Sequence, residues 1–144
     1  MSAMSDYLEN KMIDQLFRGQ TAPTTSTLYV ALLTAAPSDS GGGTEVSGGS
    51  YARVAVTSSL ANWSGTQSTG STTASSGTGG QTSNNVAITF PTPTATWGTV
   101  THFGIYDAST SGNLLFYGAL TISKTINQAD TVTFPAASLS VTFA

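Results

Sequence analysis

Along this chain the spacing of hydrophobic residues changes period once, at Gly19. Before it, Leu8, Met12 and Leu16 recur every four residues, Ile13 and Phe17 widen the stripe, and Glu9, Lys11 and Asp14 hold the other face. That pattern predicts one amphipathic helix. Asp6 reads as its N-cap with Glu9 three residues on, Arg18 complements the C-terminal dipole, and Gly19 ends it. A helix of about thirteen residues is marginal alone, so its stripe must dock on its own domain or on another subunit.

After Gly19 the period is two. Leu28 to Leu33 is a near-continuous apolar run, as expected of a strand covered on both faces. Alternation follows at Ala52, Val54 and Val56, at Val86, Ile88 and Phe90, and at Phe103 and Ile105. Leu114, Phe116 and Leu120 share a face, and Val132 with Phe134 and Leu139 with Val141 and Phe143 close the chain. Asp107 to Asn113 reads as a hairpin loop and Asn127 to Asp130 as a turn. Seven or more short strands without intervening helices predict an all-β antiparallel jelly roll or β-sandwich with one short N-terminal amphipathic helix.

Two loops are long. Pro37 to Ser50 carries Gly41, Gly42, Gly43, Gly48 and Gly49, and Gly65 to Asn85 is almost wholly Ser, Thr, Gly, Gln and Asn. Loops of that length are usually functional, disordered or partly stranded. Ser71 to Ser76 is a candidate edge strand, and the 37–50 loop is expected to be mobile until a neighbour orders it, because fixing each residue costs about 1 to 2 kcal/mol of backbone entropy. The expected division is a helical arm, 1–20, and a β domain, 21–144.

Composition narrows the role. Charged residues are 8% of the chain, and from Val54 through Tyr106 there is no Asp, Glu, Lys or Arg. Small hydroxyls replace them, which bury against a neighbour at far lower desolvation cost than charges. With 144 residues and 39% hydrophobic residues, one domain can bury roughly 70% of its unfolded surface. A net charge of −3 without any Lys/Arg cluster gives no field for nucleic acid. No Cys is present, which fits synthesis in a reducing cytoplasm. No apolar signal region or membrane-length run is seen, so neither export by that route nor a membrane partner is expected.

Catalysis finds little support. His102 is the sole histidine, so any triad must run through it, and Asp107 five residues on points to the opposite face of a strand. Asp39, Glu45, Asp107 and Asp130 are the carboxylates available for a glycosidase pair, three of them in turn or glycine-rich sequence that offers no packed environment to tune a pKa. Asp39 to Glu45 lacks the alternating ligands of a calcium loop, and Gly41 to Gly43 do not open a helix, so no phosphate cradle forms. No catalytic, cofactor or metal residue is assigned. Trp63 and Trp97 are read as packing residues, with stacking on a sugar as the alternative. Asn62-Trp63-Ser64 matches a glycosylation sequon, which has no meaning without export.

Four segments resemble a family of small tailed-phage virion proteins: Asp6 to Gln20; Thr27-Leu-Tyr-Val-Ala-Leu-Leu-Thr34; Gly41 to Val54, with its Thr-Glu-Val and Tyr-Ala-Arg; and Trp97 to Asp107, with Phe-Gly-Ile-Tyr. Members are often labelled tail-fibre protein, and those with a defined position resemble jelly-roll cementing proteins. The resemblance implies a non-enzymatic capsid cementing (decoration) protein on the outer capsid surface of the virion, made in the host bacterial cytoplasm. It would bridge major capsid protein subunits, act as a homodimer, and need no cofactor. The alternative is a tail-fibre or baseplate module binding a host-surface glycan. Candidate subunit-contact residues are Leu8, Met12, Leu16, Glu45 and Arg53, with Arg53 the expected partner of Glu45 or of a carboxylate on the shell. Low charge limits repulsion between crowded copies, and the chain shows neither heptads nor repeated units of a fibre shaft.

Overall fold

The apolar run after Gly19 forms the centre of the protein because both of its faces are covered. In the computed structural model, which describes residues 2–143, strand β2 (Thr27–Ala35) pairs with β7 (Gly98–Tyr106) along one edge. Its other edge is shared by two short strands, β3 (Thr44–Glu45) and β4 (Val54–Thr57). The long strand β8 (Leu114–Ile126) follows β7, and β1 (Ser2–Met4) closes the sheet, giving six antiparallel strands. Leu28, Val30 and Leu32 alternate with Tyr29 and Ala31, and the two sets enter separate apolar clusters on opposite faces.

The second layer is much smaller. Strands β5 (Gln81–Ser83) and β10 (Ser140–Thr142) pair, as do β6 (Ile88–Thr89) and β9 (Thr133–Phe134). Together they form one antiparallel ribbon interrupted between the two ladders. Ile88, Phe90, Leu139 and Val141 pack from this ribbon onto Val30, Leu32, Phe103 and Ile105 of the large sheet. The result is the expected all-β sandwich with one N-terminal helix, its strands divided unevenly between layers.

Helix α1 (Asp6–Arg18) starts one residue earlier than predicted, at a Ser5 cap whose hydroxyl accepts from the Leu8 amide at 3.3 Å. Ser5 wins over Asp6 because it is also tied to β8: its hydroxyl donates to the Leu114 carbonyl and its amide to the Leu115 carbonyl. Gly19 ends the helix with φ +68°, in the left-handed region that glycine enters freely. The segment read as an arm is thus stitched to the sheet at β1 and Ser5. Residues 1 and 144, at the outer bounds of the two expected segments, lie outside the described residues. No described helix is long and apolar enough to cross a membrane.

The structure gives the 37–50 loop contacts within its own chain and corrects the reading of Ser71 to Ser76 as a strand. The 37–50 loop packs on its own chain: Thr44 and Glu45 join β2, the Val46 amide donates to the Leu32 carbonyl at 3.0 Å, and Val46 is buried. Those contacts offset the entropy that an unpacked arm would leave to a partner. Ser71 to Ser76 is not a strand; the strand in that region is β5, because Gln81–Ser83 find β10 while Gln67 gathers Ser71, Thr73 and Ser76 into a hydroxyl-rich loop.

Candidate functional site

Two surfaces carry the residues that the sequence singles out: a latch around Arg53, and the outer end of α1. Tyr51 and Arg53, two apart in extended chain, reach the same neighbours. Arg53 meets Glu45 in a two-pronged pair, Nε to Oε1 at 2.9 Å and Nη2 to Oε2 at 2.7 Å. Its Nη1 donates to the Ala108 and Ser111 carbonyls, both at 2.8 Å, and its guanidinium lies 3.7 Å from the centre of the Tyr106 ring. The Tyr51 hydroxyl donates to Glu45 at 2.9 Å and accepts from the Leu32 amide at 3.0 Å.

This geometry explains the Tyr-Ala-Arg and Phe-Gly-Ile-Tyr motifs. Phe103 and Ile105 point into the core. At Gly104 a Cβ would stand 2.8 Å from the Tyr106 ring, so glycine leaves room for the ring on which Arg53 stacks. The hairpin loop from Asp107 is held by the Asp107 carboxylate, which accepts from the amide and side chain of Asn113 at 2.7 Å. Arg53 therefore ties the glycine-rich loop to the β7–β8 hairpin. Its side chain is 6% exposed, and four donated bonds leave it little capacity for a carboxylate on another subunit.

Burial works against the Arg53 charge, yet the bonded Glu45 more than offsets it and its pKa is raised. Burial pushes the Tyr51 and Tyr106 phenols up as well, and Glu45 adds to both. Tyr117 is pushed up to about 12, chiefly by its hydrogen bond to Asp39. An unfolded tyrosine titrates near 10, so all three phenols contribute their full stability below about pH 10. Above it the unfolded chain loses protons that the folded chain keeps, and stability falls. The denaturant midpoint is expected to hold between about pH 8 and 9.5 and to decline between about pH 10 and 12. An unchanged midpoint at about pH 11.5 would contradict these assignments.

Along the helix stripe burial declines steadily. Leu8 is buried in its own domain and Met12 is half-buried. Leu16 is 67% exposed, and beside it Ile13 is 51% and Phe17 81% exposed. The first turns dock on β8 and the last overhang the sheet, presenting an apolar knob flanked by the Asp14–Arg18 pair at 3.2 Å. Large apolar side chains grouped on a surface mark interaction sites.

The remaining candidates are separated. His102 Nδ1 bonds the Thr101 hydroxyl at 2.8 Å, while Asp107 is committed to Asn113. Asp39 serves Tyr117 and Glu45 serves Arg53. Among the described residues no three carboxylates or histidines gather as a metal site. Trp97 is buried, its Nε1 donating to the Gly49 carbonyl at 2.9 Å. Trp63 is half-buried beside Leu60 and Phe143, with its Nε1 buried and unpartnered. A further structural residue is Asn84, fully buried, whose side chain donates to the Val86 and Pro135 carbonyls and accepts from the Leu139 amide. Nothing local marks Asn84, since its partners lie up to 55 positions away. Tyr51 was findable from its spacing to Arg53.

Curated proteins provide no match to this chain. A family model described as podophage GP4 fiber I protein gp80 matches residues 3–142, in keeping with the phage-virion resemblance of the motifs. The chain belongs to that family and is a structural protein of a phage virion.

Proposed function

We propose that the chain is a fibre-associated connector of the virion, a non-enzymatic module that seats the overhanging end of α1 on a neighbouring virion subunit. The observation that carries this reading is the knob of Ile13, Leu16 and Phe17, three large apolar side chains left in water on a helix whose first turns are fixed to the sheet. The fibre placement is favoured by the description of the family. A second reading is capsid cementing, in which the chain bridges major capsid protein subunits on the outer shell. It is favoured by a single small domain without shaft repeats and by low charge, which suits many crowded copies making modest contacts that add up. Glycan binding has weaker support: Trp97 is inside the core, and the indole N–H of Trp63 is turned away from solvent.

Copy number separates fibre from shell. Quantitative mass spectrometry of purified virions is expected to find a few to tens of copies per particle. Hundreds would overturn the fibre placement in favour of cementing.

A further inference from the structure

The ribbon of the second layer covers only part of the six-stranded sheet. Beside its 131–142 segment, along the far end of β8, the layers leave an apolar groove of about 480 Å³. Core side chains Leu32, Val100 and Phe103 form its floor, and Leu120 and Ile122 form a wall on which Ile122 is 79% exposed. The wall carries a bulge: Val100 pairs with Lys124 and His102 with Ala119, so Thr101 alone stands opposite Leu120 to Ser123. Lys124 and Asp130 stand on the rim.

We propose that this groove receives the α1 overhang of a second copy of the chain. The inference rests on the reading of that overhang as a docking surface and names its partner. Ile13, Leu16 and Phe17 stand at i, i+3 and i+4, the spacing by which an amphipathic helix anchors in a groove. Charge complementarity argues for a second copy. The chain has four Lys and Arg residues in all, and two of them belong to these surfaces: Arg18 with Asp14 on the helix, and Lys124 with Asp130 on the groove. A seated helix would offer Asp14 to Lys124 and Arg18 to Asp130, exchanging the Asp14–Arg18 pair within the helix for two pairs across the contact. Asp130 keeps its bond from the Asn127 amide at 2.8 Å, made by one oxygen.

The contact runs between copies. Helix α1 is fixed at the Leu114 end of β8, whereas the groove lies along residues 119–126. Two different patches therefore meet, and such a heterologous contact repeats into a ring or an open filament.

The absence of cysteine allows a clean test on the full chain. Phe17→Cys and Ile122→Cys alter exposed positions and leave the core intact. Mixed under mild oxidation, the two variants are expected to give a disulfide-linked dimer that neither gives alone. Asp14→Lys or Lys124→Asp is expected to weaken self-association about tenfold in sedimentation, and the double swap to restore it. Dimers formed by Phe17→Cys alone would overturn the proposal in favour of a symmetric helix–helix contact. A wild-type chain that stays monomeric at every concentration and forms no 17–122 link would overturn it too. If Phe17→Asp is then also lost from virions, the overhang docks on a different virion subunit and only the groove assignment fails.

Discussion

Replacing Trp97 with alanine is expected to destabilise the protein by about 3 to 5 kcal/mol, the range for truncating a buried aromatic. Trp97 sits at 5% exposure, edge-on to Tyr51 with ring centres 5.3 Å apart, and its Nε1 holds the Gly49 carbonyl. The fit is close on both sides, because a Cβ at Gly49 would lie 2.9 Å from that nitrogen and the backbone there has φ +56°. Truncation removes the packing and the pin that fixes the end of the glycine-rich loop. Against a total stability of about 5 to 15 kcal/mol this is a large share, and the melting temperature should fall by roughly 10 °C or more. Trp63→Phe is the control: its Nε1 is buried without a partner, so its removal relieves a desolvation cost. Thermal melts of the two variants decide the assignment. Equal small losses would show that Trp97 is not a pillar of the core.

What was legible in the sequence was what depends on local period. The helix follows from Leu8, Met12 and Leu16, β2 from its unbroken apolar run, and the β7–β8 hairpin from its Asp107–Asn113 turn. The Glu45–Arg53 pair was readable because the loop has few charges to offer one another. Where two local solutions were equal, tertiary contact chose between them. Ser5 and Asp6 are both good caps, and the Leu114 and Leu115 groups of β8 select Ser5.

The rest depended on partners remote in sequence. Ser2–Met4 carries no strand signal of its own and becomes β1 by pairing with Phe116–Gly118. Ser71 to Ser76 has the composition of an edge strand, yet Gln81–Ser83 form it because β10 lies beside them. The helix stripe reads the same at Leu8 and Leu16, but their exposures are 8% and 67%. Where the supporting sheet ends is a property of the whole fold, so the stripe alone did not separate the turns that dock within the chain from those left for a neighbour.

That division supplies the most direct test of the proposed attachment. Leu16→Asp combined with Phe17→Asp changes side chains that are 67% and 81% exposed, so folding stability should shift by no more than about 1 kcal/mol at each site, the cost of a carboxylate in the last helical turn. A desolvated contact with another subunit would instead be forced to bury two carboxylates without partners. The measurement is the occupancy of the double variant in virions grown with it as the sole copy, determined by quantitative mass spectrometry of purified particles alongside a thermal melt of the free chain. The expected result is a folded chain with a near-native melt that is missing from the particles. A folded double variant present at wild-type occupancy would contradict attachment through the overhanging end of α1.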